Sequence, residues 1–554
     1  MKIRNLGSVA AIVVLIMAGC EKEKKVWMEP ELILSADTLV FNGVETKSLF
    51  VSSKPASEGE FQVVSYPDWV VVYPEAGTFN NDVEEIAVAS LLEGREPGLY
   101  TGTMEIMSTS GSESVYLKGF VGENLLYTVP ETLHFTAFDH SQTLEIVNGG
   151  NVGFSFEAAV SNDKLSLSHE SGSVGLDEKG SITVLLNQDK LSSGTHQSEI
   201  YLTVNEKVDT IAVSIDFFKE EKMMVPSVVV DAEYSKSTDK LVYVTSDLKL
   251  NIYDPLTRET DHINLAFIPT CVAVSLDGTK AVVGHDAQVS YVNLHTGEVI
   301  STHNVSCKAI DIVLASNGWT YVFPEQDQHT TVRCINVEDA QPVESHHTGY
   351  SIYAGTKAKL HPSGKFMYAA DNGLIPSDLE KFDIQNGTAA YLYDSPYHGD
   401  YDVRGNLWMS QDGNRIFTRS GNVFKASEIQ EYDMLYNGKI RFAEDDNSYY
   451  SSTQVVGLDH SEAQNNLYII AGNQGWESVN QPFLYVYNSY NLTFRYQIAL
   501  EQYMVSDNSG GGAFYAAEPH FVFSNASGKE VYVFTRALGS GLLNEWALQT
   551  ILIE

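Results

Sequence analysis

Basic residues are scarce in this chain: 35 Lys and Arg stand against 72 Asp and Glu among 554 residues, a formal charge of −37 at pH 7. A polyanion of this kind is repelled by phosphate backbones and by anionic lipid headgroups, which excludes nucleic acid and charge-driven membrane docking. Cysteine is scarcer still, at four residues. Cys20 lies apart near the N-terminus, and Cys271, Cys307 and Cys334 are odd in number and lack zinc-finger spacing, so a complete disulfide framework is excluded. Buried free thiols are the expectation. No apolar run after residue 20 is long enough to span a bilayer. What the chain does have is 43% hydrophobic residues and 30 tyrosines, the composition of packed domains rather than of disorder, and its length implies several of them.

The first residues read MKIRNLGSVAAIVVLIMAGC, with Lys2 and Arg4 ahead of an apolar stretch from Val9 to Met17. That stretch is too short for a membrane span and has the layout of a secretory leader. Its end, Met17-Ala18-Gly19-Cys20, resembles the lipobox of bacterial lipoproteins, with Met17 where Leu is usual. The resemblance implies a signal peptide over residues 1–19, acylation of Cys20 and stable two-chain anchoring, with the lipid as the only membrane contact. Residues 20–29, with their charged EKEKK run, are then a tether, and the expected location is the outer membrane, exposed at the cell surface.

Residues 30–123 and 124–217 read as two copies of one unit. TLVF at Thr38 returns as TLHF at Thr132, PEAGT around Gly77 as HESGS around Gly172, and GLYTGTMEI at Gly98 as GTHQSEIYL at Gly194, offsets of 94, 95 and 96 residues. Short alternating strands such as SITVLL between turn clusters such as VNGGN are the pattern of a β-sandwich of about a hundred residues. The first copy, with PDWVVVYPEAGTF followed by GLYTGTMEI, resembles the BACON family, immunoglobulin-like modules on surface proteins of the Bacteroidetes. The second lacks the tryptophan and is assigned by the repeat. Trp69 itself is expected in a sandwich core, and the modules serve as spacers.

Over residues 218–554 the period changes. KSTDKLVYV, LDGTKAVVG, SNGWTYVF, PSGKFMYAA, QDGNRIFTR, AQNNLYIIA and ASGKEVYVF are seven turn-plus-strand units, and their post-turn residues, Lys240 to Glu530, lie 39 to 63 apart. That is the signature of a propeller of four-stranded blades. A second beat, as in IYDPLTRET and VNLHTGEV, resembles the seven-bladed YVTN and quinoprotein-like propellers. The expected fold is all-β: two immunoglobulin-like β-sandwiches followed by a seven-bladed β-propeller. The last unit stops one strand short, so the outer strand of its blade is expected from residues 213–224.

Strands of a blade run alternately up and down, so first-to-second and third-to-fourth turns share one face, which the DG, SG and TG turns make trim. The other face receives the long connections: 348–355, 371–378, 395–402 (SPYHGDYD), 443–452, 472–481, 501–519 and 535–545. Long connections with a composition of their own mark function. They bring together a rim of Tyr397, His398, Tyr401, Tyr449, Tyr450, Trp476, Tyr503, Phe514 and Tyr515, interleaved with Asp400, Asp445, Asp446, Asn447 and Gln474. Aromatic faces stack on the C–H faces of sugars while carboxylates and amides bind their hydroxyls, so the expected ligand is a polysaccharide or oligosaccharide. About half of these aromatics are expected to brace their own loops. No resident cofactor is expected. EDDN at 444–447 offers hard oxygen ligands that could hold calcium, but a solvated acidic turn is the expected reading. His361, His460 and His520 should not share a metal, and SDNSGGG lacks the lysine of a phosphate loop.

Three functions compete. Anchor, spacers and terminal propeller resemble the non-catalytic glycan-binding lipoproteins of Bacteroidetes polysaccharide-utilisation systems, which implies an outer-membrane glycan transporter as partner. An enzyme, a polysaccharide lyase or glycoside hydrolase, would need two carboxylates across the scissile bond, and Asp400 with Asp445 or Asp446 could supply them. A protein-interaction scaffold could dock the transporter through the same rim.

Overall fold

The computed structural model of the protein describes residues 30–176, 178–442, 453–473, 479–507, 511–539 and 545–553. Among them the secondary structure is β-strand apart from two single 3-10 turns, Gln188–Lys190 and Gln430–Tyr432. No helix among the described residues is long and apolar enough to cross a membrane. The chain divides between Phe217 and Phe218 into two compact units.

In the first unit, apolar and polar residues alternate along each strand, and that alternation decides which face is covered. In Thr46–Lys54, Leu49 and Val51 are buried while Phe50 between them points outward. Strands Glu31–Leu34, Thr46–Lys54, Glu84–Ser90 and Val70–Tyr73 form one sheet in that order. The facing sheet runs Thr38–Asn42, Gly111–Val121, Gly98–Ser108, Glu58–Ser65, Ala76–Asn80. The two share one core around Phe41, Phe61, Phe79 and Trp69. Trp69 stands edge-on to Phe41 at 6.0 Å between centroids, so it is a packing residue. The same strand order recurs from Tyr127 to Phe217 around Phe135, Phe156 and Ile200. In both copies the short second strand joins the last one in parallel, Thr38–Asn42 with Gly111–Val121 and Thr132–Phe135 with Lys207–Phe217.

The second unit is a β-propeller of seven blades. Its innermost strands are Val229–Ser235, Cys271–Val274, the second half of Glu298–Leu314, Lys357–Leu360, Leu407–Met409, Thr453–Ser461 and Ala517–Ser524. Each neighbours the next and the last neighbours the first, which closes the ring. Strand Glu298–Leu314 serves two blades, ending the second with its first half and opening the third with its second. Second strands such as Asn466–Asn473 are almost continuously buried because adjacent blades cover both faces, whereas the outer strand Phe494–Ala499 is largely exposed.

The last blade takes its outer strand from Met223–Val225, paired antiparallel with Trp546–Leu552 through Met223 to Leu548 and Val225 to Trp546. This lies at the end of the segment expected from the sequence; residues up to 217 belong to the sandwich strand instead. The closing strand is pinned by Lys222, whose buried ammonium donates to Glu501 Oε1 at 3.1 Å and to the Gln502 carbonyl at 3.0 Å.

Innermost strands have a bare edge, and an unpaired backbone donor is costly. Side chains from the adjacent blade cover it: Asp231 accepts from the Val272 N–H at 2.9 Å, Asp311 from Ala358 at 2.8 Å and Asp459 from Ser524 at 2.8 Å. Cys271, Cys307 and Cys334 are all free, the first and last buried and Cys307 half-buried.

Candidate functional site

Three long connections around blades three to five meet on one face. Asn372 ties them together: its Nδ2 donates to the Gly355 carbonyl at 2.8 Å and to that of Gly405 at 3.1 Å, and its Oδ1 accepts from the Gly405 N–H at 2.7 Å. Gly405 holds φ +99 there, and a Cβ at this position would collide with the Arg419 side chain.

Within SPYHGDYD the two tyrosines turn inward. Tyr401 lies parallel on Tyr436 with centroids 4.3 Å apart, and Tyr397 meets Tyr401 edge-on at 4.9 Å. Tyr397 also accepts the Tyr436 N–H at its hydroxyl, 3.2 Å, and Phe424 completes the cluster. These two aromatics therefore brace the wall instead of lining it. His398 and Asp400, between them, are exposed.

Tyr503 is a core residue, which corrects the rim expected from the sequence. It is 1% exposed, its hydroxyl donates to the Thr535 carbonyl at 2.9 Å, and the Lys222 ammonium lies 4.7 Å over its ring. Tyr503–Ser506 pairs antiparallel with Gly512–Tyr515. Phe514 is exposed on one side and edge-on to Phe218 at 5.2 Å, and Tyr515 is half-buried against the core. Tyr449, Tyr450, Gln474, Trp476, Asp445, Asp446, Asn447 and Cys20 lie outside the described residues.

Two exposed side chains on the joined loops were not singled out in the sequence: Tyr350, 76% exposed with its ring edge-on to Tyr391 at 5.4 Å, and Ile375. The signal was available, since both lie in connections already marked as long. Asp378, at the end of the 371–378 connection, belongs to an acidic group. Asp378 Oδ2 is 3.0 Å from His398 Nδ1, and one ligand atom each from Asp378, Asp394 and His398 lies within 4.8 Å of the others. Burial raises the Asp378 carboxyl, with a smaller contribution from the charge of Asp394. Glu380 is pushed well above the carboxylate range, by burial first and then by Asp371, Asp378 and Asp394.

A second charged group gathers on the innermost strands, where Asp231, Glu233 and Asp311 face Lys359. Burial pushes Glu233 up to about 7 despite the opposing pull of Lys359. Burial depresses Lys359, but Asp311, Glu233 and Asp231 together more than offset it, so its pKa stands above the usual value. Strand residues of this kind carry no sequence signature, because alternation alone does not tell axis from interblade packing.

The histidines at comparable blade positions serve separate contacts. His361 Nε2 donates to the Gly413 carbonyl at 2.9 Å, His460 Nδ1 accepts from the Gln411 N–H at 3.0 Å, and His520 lies against Glu518 at 3.3 Å. On the trim face, a cleft of about 400 Å³ is lined by Asp277, Lys280, Tyr291 and Glu338. The Tyr291 hydroxyl donates to Glu338 there at 2.6 Å, a contact between neighbouring blades.

No family model and no curated protein matches the chain. Among solved structures it is similar to the β-propeller domain of Cps50 (Swd1) from Myceliophteria thermophila, at 10% identity and a TM-score of 0.45, over 61% of this chain and 100% of that one. The propeller assignment rests on the closed ring of seven innermost strands.

Proposed function

We propose that the protein is a non-catalytic glycan-binding lipoprotein of the cell surface, held to the outer membrane by acylated Cys20, that captures polysaccharide on the long-loop face of its propeller. In this reading the BACON-like, immunoglobulin-like modules are spacers and the Bacteroidetes polysaccharide-utilisation systems are the setting. The observation that supports it is that the exposed Tyr350 ring and the Asp378–Asp394 carboxylates, the latter grouped with His398, both adjoin Tyr391, on a face whose loops are tied through Asn372. An aromatic face beside carboxylates matches a sugar ring, which has an apolar C–H face and a hydroxyl edge.

A glycan array followed by calorimetry tests this. Micromolar to millimolar affinity for one class of polysaccharide is expected, lost in Tyr350→Ala and Trp476→Ala. Absence of any carbohydrate binding would sink the proposal. New reducing ends or unsaturated uronates on incubation would replace it with a hydrolase or lyase. A stable partner from solubilised outer membrane, recovered without glycan, would replace it with a docking scaffold.

A further inference from the structure

Strand Leu379–Asp383 pairs with Ala390–Asp394 so that Glu380 stands directly opposite Asp394. Directly opposite residues of an antiparallel pair project to one face, and Asp378, two residues before Glu380, projects to the same one. The chain then turns through SPYHGDYD and brings His398 Nδ1 to 3.0 Å from Asp378 Oδ2. Ligand atoms of Asp378, Asp394 and His398 all fall within 4.8 Å of one another. The other oxygen of Asp378 is held by the Ser395 hydroxyl and by the Leu379 N–H at 2.8 Å, the kind of outer contact that fixes a ligating carboxylate.

Surface acids cluster without binding anything, and the separate observation here is Glu380. The residue is 8% exposed, and its Oε2 is buried with no hydrogen-bond partner. Asp394 stands directly opposite it and Asp378 two residues before it on the same face, so carboxylates flank it there. A buried carboxyl oxygen among further carboxylates either holds a proton or is joined to them by a cation.

We propose that Asp378, Asp394 and His398 bind one divalent first-row transition ion of the zinc class, with Glu380 as the buried carboxylate behind them. Calcium takes six to eight oxygen ligands, whereas a small set of carboxylates with one imidazole suits zinc, which accepts three protein ligands and keeps a further position open. Asp394 and His398 are exposed, so that position faces solvent. The ion would fasten the 395–402 loop to the fourth blade. Asp378, Asp394 and His398 are also counted in the proposed sugar-binding group; zinc binding is measured without glycan, and glycan binding is measured separately, so either reading can fail alone.

The full chain, stripped with EDTA and titrated with zinc(II) alone in a calorimeter near neutral pH, is expected to bind one equivalent. His398→Ala and Asp394→Asn change exposed side chains, and each is expected to weaken binding by about tenfold or more, as is Glu380→Gln. Should Glu380→Gln fail to fold, the two exposed variants decide. The proposal is overturned by absence of saturable binding, by one-equivalent binding that persists in the His398→Ala, Asp394→Asn double variant, or by a preference for calcium over zinc.

Discussion

Tyr401 and Tyr350 are both aromatic residues on long loops, yet the structure assigns them opposite work. Tyr401 is sandwiched against Tyr436 and Phe424, so its removal leaves a void in the fifth blade. Tyr401→Ala is expected to lower stability by about 2 to 3 kcal/mol in urea unfolding. Tyr350→Ala is expected to change it by less than about 0.5 kcal/mol, because the ring is mostly in solvent. Equal effects would remove the distinction between brace and contact. Glu233 supports a pH prediction. Folded, it keeps its proton up to about pH 7, and unfolded it releases it near 4.5, so between those values the folded state binds more protons and stability falls as pH rises. Glu233→Gln retains an acceptor for the Val274 N–H and removes this contribution. Its urea midpoint should fall less than that of the unaltered protein across that window, and identical falls would contradict the shift. The loops that carry aromatics could be read from composition. Which rings point inward could not, since Tyr397 and Tyr401 are oriented by Tyr436 and Phe424, which are distant in sequence.

Among the elements, the fourth and fifth blades are fastened by a charge pair that no sequence pattern announces. The Lys381 ammonium lies 2.7 Å from Asp433 Oδ2 with both side chains essentially inaccessible, 1% and 0% exposed. The hydroxyls of Tyr368 and Tyr393 donate to the same carboxylate. Breaking such a pair leaves a buried charge unmatched, so Lys381→Met is expected to cost about 3 to 5 kcal/mol, read from the shift of the urea midpoint. A cost under about 1 kcal/mol would mean that the tyrosines alone satisfy Asp433. Blade rhythm was legible because DG and SG turns are local chemistry. The continuous strand Glu298–Leu314 was not, because its two halves pair in different blades.

For the whole molecule, every strand of the ring lies in the unit that begins at Phe218, including the closing strand Met223–Val225. A chain of residues 218–554 is therefore expected to fold alone with a single cooperative melt. A chain starting at 227 loses both the closing strand and Lys222, exposes the edge of Trp546–Leu552, and is expected to melt lower or aggregate. Size-exclusion chromatography and circular dichroism distinguish the two, and indistinguishable behaviour would show that closure does not depend on Met223–Val225.

By itself the sequence determined the all-β class, the repeated units and the propeller, because strand alternation, turn residues and repeat spacing are local properties that survive in any context. Among the described residues it also marked 348–355, 371–378 and 395–402 as connections between strands. Only the tertiary structure decided that Tyr503 is core, that Tyr397 and Tyr401 are braces, that Tyr350 is exposed, and that Asp378, Asp394, His398 and Glu380 converge. Side-chain direction depends on strand register and on partners many residues away, and both are fixed only when the ring closes.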